Sequence, residues 1–389
     1  MGLEVEESQM QRRKASSWLD GLASPRRNPA VLLTMYGPVF KTSLVGRQVV
    51  VSTDPEVNHF VLQHEGRLFR SCYPNTFTEI FGRDNVGELQ GFVYKYLKGL
   101  VLRLFGLENL REVMLQDMEK MARERLSLWS LQATIEIKDA ISAGRKKAMA
   151  MLKKILAERM ESTSKECDDF FDCVVKELKK DRPILTQGIA LDLMFVLLFA
   201  SFETTSLVLT LAVKLLSDHP QVLAKLTEEH GLILMNRRQQ NSGITWKEYK
   251  SMKFTLQVIN ETIRLANIVP GIFRKALKDI HINGYTIPAG WGIMVCPPAV
   301  HLNPEIYEDP MNFNPWRWKD KPELSKHFMA FGGGMRFCVG TDFSKLQMAV
   351  FIHCLVTKYR WTHIRGGHII RTPGLGFPDG YHLRLLPKE

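Results

Sequence analysis

The sequence predicts a mainly α fold with small β-sheets, gathered into a single domain. Three observations carry that prediction. Apolar residues recur three and four apart from about Val93 to Leu216, the period of helices that bury one face. Short runs of β-forming residues bounded by turn signals lie near both ends. No Pro/Gly/Ser-rich linker, low-complexity tract or internal repeat divides the 389 residues, and 45% hydrophobic with 24% charged residues is ordinary for a chain with a sizeable core.

In chain order, residues 1–34 are a polar N-terminal segment, and the domain runs from 35 to 389. The opening Met1-Gly2-Leu3-Glu4-Val5-Glu6-Glu7-Ser8 is acidic and polar, so neither a signal peptide nor a membrane anchor is expected, and the chain as written is expected to be able to stay soluble. Val39-Phe40-Lys41-Thr42-Ser43-Leu44 and Gln48-Val49-Val50-Val51-Ser52 flank Gly46 and read as a hairpin. Asp54-Pro55 opens a helix with Asp as cap and Pro at the first position. Arg145-Lys146-Lys147 and Lys153-Lys154 form a basic run on a later helix, read as a solvated face.

Thr186 to Ser217 is the longest predicted helix. Asp192, Glu203 and Lys214 are its only charges, so it should run buried through the middle of the protein, about 48 Å long at 1.5 Å per residue. Those charges keep it from reading as a membrane span. His219-Pro220 ends it. Thr245-Trp246-Lys247-Glu248 is a capping box that starts one helix carrying Glu261 and Arg264. Ile280-His281-Ile282 and Tyr285-Thr286-Ile287 flank Asn283-Gly284, a strong hairpin signal.

The net charge of +11 suits an acidic partner or an anionic membrane surface. No basic and aromatic module accompanies it, so nucleic acid is not an expected partner. The six cysteines, Cys72, Cys167, Cys173, Cys296, Cys338 and Cys354, show no CxxC pair and fit a reducing compartment.

One stretch stands apart: Phe331-Gly332-Gly333-Gly334-Met335-Arg336-Phe337-Cys338-Val339-Gly340. Three glycines before the cysteine and Gly340 after it give backbone freedom, including positive φ, and let the chain approach a flat object. A helix follows, so its N-terminal dipole should lower the Cys338 thiol pKa and favour a metal-ligating thiolate, with Arg336 as a local cation. A Gly-rich turn with one cysteine is, alone, ordinary for a structural thiol. The whole pattern Phe-x-x-Gly-x-Arg-x-Cys-x-Gly, at Phe331, Gly334, Arg336, Cys338 and Gly340, resembles the haem-binding signature of the cytochromes P-450.

That resemblance covers nearly everything from Tyr36 to Pro387. It implies the single-domain fold of that family, with haem b as cofactor and Cys338 as axial iron ligand. It implies that Glu203 and Thr204, in Ala200-Ser201-Phe202-Glu203-Thr204-Thr205, relay protons to dioxygen; the family usually has Gly where Ser201 stands. Arg336 and Arg274 match cations on the haem propionates, with Tyr94 and Lys98 as a further donor and cation. Phe331 and Gly340 belong to the loop, and Glu261, Arg264 and Arg317 to a buried structural network.

Tyr36-Gly37-Pro38-Val39-Phe40-Lys41-Thr42 and Phe199-Ala200-Ser201-Phe202-Glu203-Thr204-Thr205 are similar to the plant branch that oxidises sterols, triterpenoids and brassinosteroids, and within it to subfamily eighty-seven. The resemblance implies a monooxygenase using O2, a hydrophobic substrate and electrons from NADPH through a reductase. It also implies the cytoplasmic face of the endoplasmic reticulum membrane, with peripheral contact. The chain departs from that branch by lacking an anchor and by joining residues 139 and 144 where pocket-roof helices are expected. A catalytically impaired haem-binding product of a shortened gene, and a haem-thiolate isomerase or dehydratase, are the alternatives.

Overall fold

The structure, a computed structural model, describes residues 37–44, 46–82, 85–136, 145–161, 170–237, 242–319, 321–371 and 374–388. The expected N-terminal segment, the junction near 139–144 and Cys167 lie outside the described residues.

The first part of the chain builds most of a sheet. Strands β1 (Val39–Leu44) and β2 (Arg47–Ser52) pair antiparallel, as the hairpin pattern predicts. Helix α1 (Pro55–Gln63) follows, with the Asp54 carboxylate accepting from Val57 N at 2.8 Å and Pro55 where its missing N–H is harmless. Strand β3 (Phe69–Ser71) then turns toward α2 (Asn75–Phe81). Helices α3 (Gly91–Phe105) and α4 (Leu115–Ser130), a two-residue strand β4 (Ile135–Glu136), α5 (Arg145–Glu161) and α6 (Phe170–Leu178) lead to the long helix α7 (Gln187–Asp218).

Thr186 caps α7 through its hydroxyl, which accepts from Ile189 N, and Pro220 at the first turn of α8 (Pro220–Met235) prevents its continuation. The capping box at Thr245 forms as predicted, but its helix α9 (Trp246–Ser251) stops after six residues. Met252 leaves helical geometry at ψ 58°, and a separate helix α10 (Lys253–Ala266) carries Glu261 and Arg264. Helix α10 ends at Asn267, a left-handed residue at φ 46°.

Strands β5 (Ile272–Ala276), β6 (Ile280–Ile282), β7 (Tyr285–Ile287) and β8 (Gly292–Val295) come next. Asn283 and Gly284 take φ 48° and 78°, so the β6–β7 turn has the twist its sequence calls for. The five-stranded sheet has the order β1-β2-β8-β5-β3, and its β2–β8 pair is parallel, with Val49 opposite Gly292. A short helix α11 (Pro297–His301) precedes the glycine loop, and α12 (Thr341–Lys358) follows it. Strands β9 (Tyr359–Gly366), β10 (Ile370–Arg371), β11 (Leu375–Gly376) and β12 (Tyr381–Pro387) close the chain, with β12 between β4 and β9.

Helix α7 joins two cores. Its N-terminal half packs Ala190 to Phe195 with α3, α5 and α6, and its C-terminal half packs Leu207 to Leu216 with α4, α8, α10 and α12. By length and composition it is apolar enough to cross a membrane. The expectation of burial along its whole length is corrected in the middle, where Leu198, Phe199 and Phe202 are 55%, 40% and 46% exposed.

Candidate functional site

The glycine loop is pinned at both ends by the residues around it. Cys338 N donates to Phe331 O at 3.0 Å and Phe337 N to Gly334 O at 3.1 Å, which folds the ten-residue stretch back on itself. Gly332 and Gly334 adopt φ 72° and 60°, and a Cβ on Gly334 would collide with the carbonyl oxygen of Leu62 at the end of α1. The corresponding reading of Gly340 is corrected: its φ is −90°, and a Cβ there would make only an ordinary 3.9 Å contact with Cys338 Sγ.

The loop, the middle of α7, β5 and the turn after α10 enclose a cavity of about 430 Å3. Cys338 sits in its wall on one side. Ala200, Ser201, Thr204 and Thr205 form part of the α7 side. The Thr204 hydroxyl donates to Ala200 O at 2.6 Å, and Ser201 bonds back to Leu198 O at 3.2 Å. Glu203, one residue round the helix from Thr204, does not line the cavity. Phe331, Gly340, Tyr94, Arg274 and Arg336 do, whereas Lys98 stands just behind the wall and donates to Met335 O at 2.6 Å.

The expected lowering of the Cys338 thiol pKa is corrected for the chain alone. Desolvation by the surrounding wall raises it, although the residue itself is exposed to the cavity, and outweighs the Gly340 backbone N–H, the Thr341 hydroxyl and the Lys98 cation, all of which favour thiolate. An ion at the sulfur would reverse that balance, because a coordinated thiol is deprotonated. Burial likewise lowers the Lys98 pKa and raises that of Tyr94.

Two charge clusters support the cavity. In the first, the fully buried Glu261 accepts from Arg264 Nε and Nη2 at 2.9 and 2.8 Å, Arg317 Nε at 2.9 Å, Trp318 Nε1 at 2.9 Å and Asn314 N at 3.1 Å. The planar fork of Arg264 matches the carboxylate edge to edge. Arg264 also donates to His301 O at 2.7 Å. His301 Nε2 accepts from Met329 N at 3.0 Å, so its Nδ1 carries the proton donated to Asn267 Oδ1 at 2.8 Å. The network thus holds the start of the loop against the end of α10.

The second cluster was not legible in the sequence. Glu65, in the turn after α1, accepts from Arg336 Nε at 2.7 Å and Ser71 N at 3.1 Å, and its other oxygen pairs with Arg274 Nε. Arg336 also donates to Val86 O and Leu89 O and lies 4.2 Å over the Tyr94 ring. Nothing local around Glu65 signals partners 209 and 271 positions away.

Among the described residues, no group of three or more His, Cys, Asp or Glu could chelate a free ion. A single thiol in a mostly apolar wall, glycines that allow close approach and two arginines at one edge fit a flat metal-bearing group with acidic substituents, as haem is. The residues present therefore fit the cofactor the resemblance implies.

Comparison with known proteins points the same way. The sequence pattern of the family described as Cytochrome P450 matches residues 110–377. The chain is 57% identical to Cytochrome P450 87A3 of Oryza sativa subsp. japonica, over 91% of this chain and 79% of that protein. It is 37% identical to a cucurbitadienol 11-hydroxylase of Siraitia grosvenorii (91% and 86%) and 35% identical to a beta-amyrin 16-alpha-hydroxylase of Maesa lanceolata (91% and 86%). Its fold is similar to that of a solved structure, retinoic acid bound cyanobacterial CYP120A1, at TM-score 0.79 and 22% identity, covering 92% of this chain and 93% of that one. The rice alignment extends over 408 residues, but 91% of this 389-residue chain is only about 354, so about fifty residues of the relative have no counterpart within the matched span.

Proposed function

We propose that this chain, which belongs to the cytochrome P450 family of haem-dependent monooxygenases, inserts one oxygen atom of O2 into a sterol-like or triterpenoid carbon, with electrons from NADPH passed through a flavoprotein reductase. The observation that carries the reading is the Cys338 thiol on its glycine loop, facing the same cavity as Ser201 and Thr204 of α7. The relatives named for cucurbitadienol and beta-amyrin support the substrate class. The surplus of positive charge supports an acidic electron donor and work at the endoplasmic reticulum surface.

In this reading haem b, when bound, supplies the activation of dioxygen at its iron. Cys338 holds the iron through its sulfur. Arg274 and Arg336 hold the propionates, with Tyr94 and Lys98 fixing the loop beneath them through Met335 O. Thr204 Oγ1, whose single proton is donated to Ala200 O at rest, breaks that bond to deliver a proton into the cavity, and Glu203 resupplies it from the outer side of α7. Phe331 and Gly340 shape the floor, and the Glu261, Arg264 and Arg317 network keeps it rigid. The mostly apolar walls receive the substrate skeleton and exclude water.

A second reading, in which the chain holds haem but turns over substrate poorly, is favoured by the exposed middle of α7 and the fifty unmatched residues. We place that shortening at residues 139–144, inside a domain of residues 35–389. An open roof admits water and weakens each electrostatic effect in the cavity.

The test is the ferrous carbon monoxide spectrum of the expressed chain. Wild type should show the thiolate Soret band, and Cys338→His should move it; bound haem without a thiolate band in wild type would refute the assignment. Oxygen uptake with a triterpenoid should be poorly coupled, releasing peroxide, and a roof segment inserted between Ala143 and Gly144 should raise coupling at constant haem content. Tight coupling by the unmodified chain would dismiss the second reading.

A further inference from the structure

We infer that Glu65 is a positioning residue, the built-in counter-ion that keeps Arg274 and Arg336 side by side in the cavity wall. This rests on the haem reading above. Arg336 hydrogen-bonds one oxygen of the carboxylate and Arg274 forms an ion pair with the other without hydrogen-bond geometry, so two like charges sit close together in a site where Glu65 and Arg274 are each 2% exposed at the side chain and Arg336 10%. Without an anion between them they would repel across a weakly screened gap.

The local charge count explains why one acid suffices. Lys98, Arg274 and Arg336 give three positive charges around Tyr94 and Cys338, and Glu65 removes one. The surplus of two equals the two carboxylates that haem b carries. Glu65 therefore leaves the cluster poised for the cofactor. A second acid would cancel part of the attraction; no acid would leave the cluster overcharged before haem arrives. The carboxylate also ties three separate pieces of chain together, since Ser71 N on β3, Arg274 on β5 and Arg336 in the glycine loop all converge on it.

The sign of each effect follows from the same charges. Glu65→Gln keeps the shape and removes the anion. In the unloaded chain it forfeits attraction to the two guanidinium cations. In the loaded chain it also relieves repulsion from two propionates, so the loss there is smaller. Removing a negative charge near the iron favours the more reduced state.

The experiment compares wild type, Glu65→Gln and Glu65→Gln/Arg274→Met as full chains. It measures melting midpoints with and without haem and the ferric/ferrous midpoint potential of the loaded forms. Glu65→Gln should lose more stability unloaded than loaded, its potential should move positive, and the double variant, which removes both members of the pair, should melt at or above Glu65→Gln when unloaded. Equal losses with and without haem at an unmoved potential would overturn the proposal, as would a double variant melting below Glu65→Gln. If Glu65→Gln does not fold unloaded, recovery of folding in the double variant supports the counter-ion role and failure to recover overturns it. If wild type takes up no haem, the haem reading falls, and the unloaded comparison still decides the counter-ion role.

Discussion

Replacing Glu261 with Ala tests whether the buried network behind the loop is a cooperative unit. The side chain is fully buried and accepts five hydrogen bonds, four from side chains and one from the Asn314 backbone. Its loss strands two guanidinium groups, at 0% and 5% side-chain exposure, that retain only carbonyl partners such as His301 O and Glu308 O. Breaking a buried pair by removing one partner costs about 3–5 kcal/mol. An unfolding entropy of about 2.1 cal/mol/K per residue gives a 389-residue domain roughly 0.8 kcal/mol/K, so the midpoint should drop by about 4–6 °C. The assay is thermal unfolding followed by circular dichroism and by release of haem absorbance. Because Arg264 also donates to His301 O, and His301 anchors Met329, haem should leave before the helices melt. A Glu261→Ala chain that melts within 1 °C of wild type, with haem retained throughout, would show that the charges are solvated in solution.

Two further outcomes follow from the same geometry. Gly334→Ala should prevent the loop from seating on Leu62 and abolish haem retention, whereas Gly340→Ala should retain haem, as a haem titration of both variants would show. Burial pushes the pKa values of His230 and His301 down to about 3 and that of His353 to about 4, from 6.5. The unfolded chain therefore binds protons that the folded chain refuses, and stability present above pH 6.5 falls as the pH drops toward 4, by up to about 1.4 kcal/mol per pH unit per histidine. Denaturant titrations across that range should show His353→Asn with a shallower acid slope; an unchanged slope would remove His353 from the account.

The readable parts of this molecule were those whose partners lie close in sequence. Asp54-Pro55, Thr245 with Glu248, and Asn283-Gly284 each specify their own geometry within a few residues, and each forms. The Cys338 loop was readable through the resemblance of its whole pattern, although Gly334 answers to the distant Leu62 carbonyl. Residues joined across the chain were readable only where the resemblance names them, as for Glu261 with Arg317. Glu65 meets Arg274 and Arg336 only after the sheet and loop are assembled, and no periodicity marks it. The break at Met252 was hidden because both flanking segments have helical spacing. The exposed middle of α7 was misread because an apolar sequence reports what a helix can bury, not whether a neighbour is there to cover it. The thiol pKa was misjudged for a similar reason: dipole and cation are visible locally, while burial is a property of the finished cavity.

The parallel pairing of β2 with β8 has a consequence for how the protein is made. Val49 pairs opposite Gly292, so β1 and β2 emerge from the ribosome long before the strand that completes their sheet. At about 5–20 residues per second, that interval lasts on the order of tens of seconds. Throughout it, the Val49-Val50-Val51 edge has unpaired backbone groups and a β-forming apolar surface, the combination that recruits other nascent chains. The helices between Gly91 and Ala266 can form in the meantime, whereas α12, at Thr341–Lys358, joins the helical core only after β8 has been made. Yield at the ribosome should therefore depend on chaperones that shield the first sixty residues, and slower translation should lengthen the exposure.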